Sequence, residues 1–181
     1  MIEDMLSVWK IKNRREDGLE RVYVKYKNYL LKIAYALLDD GGQAEDAVQD
    51  VFVSLAESAE RLRLDGNLKG YLVRCLINRA SNIKKSCSRR AALPLSEIKE
   101  PCCQSNGPDQ WVILDDEHRR VHRALSQLSE SQRVVIALRV RGGMGFRQIS
   151  RLQKTSINTV QSRYRYGLEK LRILLNGEVR R

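Results

Sequence analysis

Apolar residues return every three or four positions from Leu19 onward, at Val22, Tyr26, Leu30, Ile33 and Leu37. That period puts them on one face of a helix. The pair Gly41-Gly42 is expected to break it. Ala44, Ala47, Val48, Val51 and Leu55 then form a second stripe, with Asp46, Gln49, Asp50, Val53 and Glu57 on the opposite face. Asp65-Gly66-Asn67 reads as a turn. A third helix follows, turning Leu68, Leu72, Cys75, Leu76 and Ile83 toward a core. Cys75 at that spacing is a small buried apolar residue.

The period is lost from Ala91 to about Asp115. All three prolines (Pro94, Pro101, Pro108) fall there, with Gly107 and several small polar residues. This reads as an interdomain linker that lets two domains move. Helical pattern returns at Glu117, with Val121, Ala124, Leu125 and Leu128 as one stripe. Ser129-Glu130-Ser131-Gln132 has the form of a capping box, followed by Val134, Val135, Ala137 and Leu138 up to Gly142-Gly143. Then come a short helix (Phe146, Ile149, Leu152), a tight connection (Gln153 to Thr155) and a long helix from Ser156. Ile157, Val160, Tyr164, Leu168 and Leu171 are its expected buried stripe. The expectation is an all-α protein of two small helical domains, 1–90 and 116–181, joined by a flexible linker, 91–115.

Short helix, tight turn and longer capped helix form the helix-turn-helix plan. The second helix of that plan must offer the major groove a polar, partly basic face. Asn158, Gln161, Ser162, Arg165, Tyr166 and Glu169 lie opposite the apolar stripe. Gln and Arg suit base edges, and Ser and Thr suit bases or phosphates. Ser156, Asn158 and Thr159 sit at a helix N-terminus, which favours a phosphate. Arg147, Arg151, Lys154 and Arg163 add charge around them.

Charge sharpens the picture. The 181-residue chain has 33 Lys+Arg against 22 Asp+Glu, a formal net charge of +11, and nucleic acid is the commonest polyanion. The excess is not uniform. Between Arg61 and Arg90 nine Lys/Arg face a single acid, Asp65. Tyr71 and Asn78 are interleaved with that charge, a mixture suited to unstacked bases and a strand backbone. The helix before it is acidic, with Glu45, Asp46, Asp50, Glu57 and Glu60, and suits a protein partner better than DNA.

Other classes fall away. No run approaches the ~18 apolar residues of a membrane span. Leu30–Leu38 is short and contains Lys32, and Met1–Arg15 lacks the apolar core of a secretory signal. A cytoplasmic protein is expected, with free thiols at Cys75, Cys87, Cys102 and Cys103. His118 and His122, at i and i+4, put two imidazoles on one helical face, with Cys102 and Cys103 upstream and Cys87 further upstream. A metal site is weighed against by adjacent cysteines that diverge, by the lack of CxxC, and by Arg119, Arg120 and Arg123 beside the histidines. No catalytic constellation converges on either block, so neither enzyme nor cofactor is expected.

The run Ala44-Glu45-Asp46-Ala47-Val48-Gln49-Asp50-Val51-Phe52 resembles the AEDxxQxxF signature of extracytoplasmic-function RNA polymerase sigma factors, within the sigma-70 family. Tyr71-Leu72-Val73-Arg74 with Ile77-Asn78-Arg79 resembles that family's WLxRxxxN segment. Asn158-Thr159-Val160-Gln161-Ser162-Arg163 resembles its GTVxSR motif. The resemblance implies that 1–90 is sigma domain two, which docks on the clamp coiled coil of the polymerase β′ subunit and opens the −10 promoter element. Glu45, Asp46, Gln49, Asp50 and Phe52 match the docking segment. Asn78 matches an asparagine that receives a flipped-out base, with Tyr71, Arg74, Arg79, Lys84 and Lys85 beside it.

The same resemblance makes 116–181 domain four, which contacts the β flap and reads the −35 element. Gln161, Ser162, Arg165 and Tyr166 match base-facing positions. Asn158, Thr159 and Arg163 match backbone-holding ones, with Ser156 and Arg147 adjoining. The linker would thread polymerase channels, and an anti-sigma factor is the implied controller. Tyr71 stands for the usual Trp, Asn82 for a frequent Asp, Asn158 for the usual Gly, Gln161 for a frequent basic residue and Tyr166-Gly167 for Arg-Ala, so the −35 sequence does not transfer. The rival class is a helix-turn-helix regulator binding operators without polymerase. Such a regulator has no reason to carry both an acidic docking helix and a basic strand-opening helix.

Overall fold

A computed structural model describes residues 2–13, 15–58, 67–91 and 116–178, and within them the chain is helical with no strand. The elements are α1 (Ile2–Lys12), α2 (Glu16–Leu37), α3 (Gly41–Ser58), α4 (Leu68–Ala91), α5 (Asp116–Ser126), α6 (Glu130–Ile136), a π-helical turn (Ala137–Arg141), α7 (Phe146–Gln153) and α8 (Ile157–Glu178). Most of the expected linker, 92–115, and its Cys102 and Cys103 lie outside the described residues, as does the turn at Asp65-Gly66.

Helix α2 is the axis of the first block. Its stripe of Val22, Tyr26, Leu30, Ile33 and Leu37 is buried, as the period predicts. The helix does not end at glycine. Leu38 takes an extended conformation, and Asp40 starts α3 by accepting the Gln43 N–H on its carboxylate at 2.8 Å. Gly41 and Gly42 are the first residues of α3, so the expectation that they break the helix is corrected. A short acidic cap outweighs the low helix propensity of two glycines. Asn67 does the same for α4, accepting the Gly70 N–H at 2.6 Å.

Helix α1 has no counterpart in the sequence reading. It lies along α2, burying Val8 and Ile11. Gly18 makes the approach possible, because a Cβ there would stand 2.7 Å from the Lys10 Cβ and 2.9 Å from the Ile11 backbone nitrogen. A polar cluster closes the other end. Lys25 bonds Glu3 and Asp4, each at 2.8 Å, and the Tyr26 hydroxyl donates to Asp4 at 2.9 Å.

In the second block the capping box at Ser129 and Gln132 is formed. The helix beginning there widens into the π-turn and stops at Gly142. In α8 the buried stripe runs Val160, Gly167 and the half-buried Tyr164 and Leu171. Leu168, expected inside, is 39% exposed. Gly167 takes the inward place because α6 packs closely there: a Cβ at 167 would meet Ile136 Cδ1 at 2.7 Å. Val121, another expected core residue, is also partly exposed.

The two blocks pack together. Their buried residues form one continuous cluster that includes Leu30, Ile33 and Leu37 of α2 with Val134, Val135 and Leu138 of the second block. A polar seam runs beside it. The last carbonyls of a helix have no partner within it, and α2 carries no basic residue in its last turn. The second block supplies the donors. His122 Nε2 bonds the carbonyls of Leu38 at 2.9 Å and Tyr35 at 3.2 Å. Arg133, only 7% exposed, donates to the Leu37 carbonyl at 3.3 Å, to Asp39 at 3.4 Å and to the Ser126 carbonyl at 2.6 Å. The Tyr29 hydroxyl donates to the Gly142 carbonyl at 3.0 Å.

Candidate nucleic-acid and protein interfaces

The helix-turn-helix is built by α7 and α8. Ile149, Leu152 and Val160 are buried at their junction, and Phe146 meets Tyr164 edge to face at 5.3 Å between ring centres. Lys154 makes the turn in the left-handed region, at φ 50°. The Ser150 hydroxyl holds the turn by donating to the Thr155 carbonyl at 2.6 Å. Ser156 caps α8: its Oγ accepts the Thr159 N–H at 3.0 Å and lies 2.8 Å from the Thr159 hydroxyl. Both hydroxyls are thereby fixed at a helix N-terminus, where backbone N–H groups face outward.

From that start α8 presents Asn158, Gln161, Arg165 and Tyr166 to solvent, with Thr159, Ser162 and Arg163 half-buried at the edges of the face. Arg147 is exposed on α7. The Arg165 guanidinium lies 5.0 Å from the Tyr166 ring centre and donates to its hydroxyl at 3.3 Å. The stack pre-orders an otherwise floppy side chain, lowering the entropy cost of any contact it makes. Arg139 stacks on Phe146 at 4.9 Å and bonds the Met144 carbonyl at 3.1 Å, bracing the loop before α7.

The acidic and basic faces of the first block are neighbours, because α3 and α4 pack side by side. Glu45, Asp46 and Gln49 are exposed on α3, and Asp50 is part-exposed. Tyr35 donates to Glu45 at 3.0 Å. Burial raises the Tyr35 hydroxyl above its ordinary pKa, and the Glu45 carboxylate adds to the rise. Phe52 faces the other way. It is buried, edge-on to Tyr23 at 4.9 Å between ring centres. Its place is in the core beneath the acidic face, so it positions that face and offers no surface of its own.

On α4, Arg74, Asn78, Arg79 and Lys85 are exposed. Tyr71 is half-buried at the start of this face, its hydroxyl 3.3 Å from Ser58 Oγ. Burial raises both the Tyr71 hydroxyl and the Cys75 thiol one turn on. Two basic residues of the face are already paired. Arg79 meets Asp50 of α3 at 2.5 Å, and Lys84 stands 3.8 Å from Asp39.

The structure brings the candidate residues into three groups: acidic on α3, basic and amide on α4, polar and basic on α8. The seam residues Asp39, His122 and Arg133 were not singled out as a group by sequence. The available signal was the bare C-terminus of α2, which needs donors from elsewhere. His122, weighed as a metal ligand, has its ring turned onto those carbonyls.

A profile described as sigma-70 region 2 matches residues 22–90, and one described as sigma-70 region 4 matches 118–171. Together they span about two thirds of the chain. Among curated proteins, the RNA polymerase sigma-H factor of Pseudomonas aeruginosa is 22% identical over 89% of this chain and 88% of its own length. The ECF RNA polymerase sigma-E factor of Escherichia coli is 21% identical over 90% of this chain and 88% of its own. Among solved structures, CnrH in complex with the cytosolic domain of CnrY matches with a TM-score of 0.72 at 17% identity, covering 97% of this chain and 98% of that one. The sigma factor RpoE of Bartonella quintana, bound to the anti-sigma factor NepR, matches with a TM-score of 0.64 at 23% identity, covering 87% and 96%. These two share the fold.

Proposed function

The chain belongs to the sigma-70 family as an extracytoplasmic-function member, and from that membership we propose how its three faces divide the work. As a sigma factor it binds core RNA polymerase and directs initiation at particular promoters, without being an enzyme. The exposed acidic face of α3, with Glu45, Asp46, Gln49 and Asp50 over a buried Phe52, docks on the β′ clamp coiled coil. The face of α4 holds the opened −10 strand. Asn78 takes an extruded base, Tyr71 stacks beside it, and Arg74, Arg79, Lys84 and Lys85 follow the backbone. The α8 face reads −35, with Gln161, Ser162, Arg165 and Tyr166 toward bases. Ser156, Asn158, Thr159, Arg163 and Arg147 lie toward phosphates. Residues 1–90 and 116–181 act as the two promoter-reading domains, 91–115 joins them, and the second block also meets the β flap.

The observation that carries this reading is the coexistence of a capped helix-turn-helix with adjacent acidic and basic faces on α3 and α4. Two weak DNA contacts become one bivalent contact when polymerase sets their separation. Capture of a flipped base offsets part of the unstacking cost. No helix among the described residues is long and apolar enough to cross a membrane. Work in the cytoplasm follows from the partner, core RNA polymerase. The two solved relatives were captured with CnrY and with the anti-sigma factor NepR. That supports an anti-sigma factor as the controller here.

Reconstituted transcription on genomic fragments, with core polymerase with and without the chain, tests the reading. Discrete start sites that require the chain and vanish in Asn78→Ala are expected. Duplex DNA binding without core, and no new start sites with it, would establish the operator-binding regulator instead.

A further inference from the structure

The surface assigned to polymerase and the surface assigned to the −10 strand meet in one ion pair. Asp50 is the α3 carboxylate that turns toward α4, and its Oδ2 stands 2.5 Å from Nη2 of Arg79. Arg79 follows directly after Asn78, on the exposed side of α4. Both side chains are about half exposed, 43% for Asp50 and 49% for Arg79. A single carboxylate therefore belongs to the acidic docking face while it neutralises a cation of the strand-binding face. Its neighbour Glu45 is engaged elsewhere, by Tyr35.

We propose that Asp50 withholds Arg79 from single-stranded DNA in the free chain, and that covering α3 with a basic partner surface releases it. The proposal rests on the assignment of α3 to a protein partner and α4 to DNA. The physical argument is exchange. A half-exposed pair is worth a factor of up to about five in equilibrium, so it is strong enough to bias Arg79 and weak enough to be given up. Cations from a docking partner compensate the Asp50 charge, and the attraction holding Arg79 falls accordingly. The freed guanidinium then adds one phosphate contact to those of Arg74 and Lys85. Docking on α3 and strand binding on α4 thus favour one another, and by linkage the effect is reciprocal.

The test uses the full-length chain and a fluorescein-labelled single-stranded oligonucleotide, with affinity followed by anisotropy across a salt series. Without polymerase, Asp50→Asn is expected to bind about two- to fivefold tighter than wild type. Its log–log salt slope should steepen by about 0.7, one neutralised phosphate on a single strand. Arg79→Gln should bind no tighter than wild type, and adding Asp50→Asn to it should bring no tightening. Glu57→Gln removes the same charge from an exposed position of α3 outside the assigned docking set and should leave the slope unchanged. Equal tightening by Glu57→Gln and Asp50→Asn would reduce the effect to net charge and overturn the proposal. So would tightening by Asp50→Asn that persists in the Arg79→Gln background. In complex with core polymerase, Arg79→Gln is expected to weaken oligonucleotide binding by the same two- to fivefold, and no loss there overturns the release. Wild-type binding to core polymerase, measured first, separates the two levels: its failure overturns the assigned function itself.

Discussion

Replacing Arg133 with Met tests how the two blocks are held together. The side chain is 7% exposed and spans the seam, donating to the carbonyls of Leu37 and Ser126 and, at a long 3.4 Å, to Asp39. A hydrogen bond from a charged donor is worth about 1.5–3 kcal/mol. The two carbonyl bonds therefore stand for roughly 3–6 kcal/mol in total. Part of this returns on substitution, because Nε of Arg133 is buried without a partner and its desolvation is relieved. Met also refills most of the volume. Asp39, at 56% exposure, keeps Lys84 nearby and is hydrated once Arg133 goes, so it adds little. The net expected loss is about 2–3 kcal/mol.

For a chain of this size that lowers Tm by about 5–10 °C. Urea denaturation, followed by far-UV circular dichroism, measures it directly. Arg133→Lys reaches fewer of the three acceptors and should lose about 1–2 kcal/mol. Splitting of the Arg133→Met transition into two steps would report that the blocks had begun to unfold separately. A change below about 0.5 kcal/mol with one unchanged transition would refute the reasoning, since that is the range of an ordinary surface substitution.

Two further outcomes follow from the docking of α1. Gly18→Ala should cost about 1–3 kcal/mol despite its better helix propensity, because the new Cβ meets the α1 backbone at Ile11 N (2.9 Å) and Ser7 O (3.0 Å). Amide hydrogen exchange should show α1 losing protection while α4 keeps it, and equal loss in both would contradict a local clash. The second outcome concerns pH. Burial pushes the Asp4 carboxyl up, but bonds from Lys25 and Tyr26 outweigh it and leave it below its ordinary 3.8. The stability it contributes is present above that value and lost as pH falls through the lowered one. Tyr26 is pushed up to about 12 by burial and by Asp4, so its contribution is whole below pH 10 and lost as pH rises through about 12. Trp9 fluorescence in a Trp111→Phe background should therefore stay flat from about pH 5 to 9 and change beyond both ends. A transition inside that window would count against this cluster as the clasp of α1.

What the sequence makes legible here is local. The helix-turn-helix could be read because its signals sit within a few residues of one another. Ser156 caps at the place its residue type implies, and Ser129 with Gln132 closes the box that the spacing announces. Errors arose where two local rules compete. Gly41-Gly42 looks like a stop, yet Asp40 just before it is a cap, and the cap won. Leu168 fits a helical stripe by period, but α6 comes too close for a side chain at the true centre of the face, which Gly167 occupies. Helix α1 is hard to read from the sequence because Met5, Leu6 and Trp9 point outward while Val8 and Ile11 point in, blurring the period. The seam was illegible for a different reason. Arg133 and Leu37 are 96 positions apart, and nothing near Arg133 marks it as less ordinary than any other arginine.

The merged core has a cost that appears when the blocks separate. Parting α2 from the second block turns Ile33, Leu37, Val134 and Leu138 toward water, at about 1.5–3 kcal/mol for each side chain fully uncovered. It also strips the carbonyls at the end of α2 of their donors. An extended form of this chain is therefore sticky as well as extended, prone to meeting its own kind and to protease attack. Whatever spreads the two domains along a promoter must also shelter what spreading lays bare. Polymerase would then act as a chaperone for the open chain as well as a ruler for its reach.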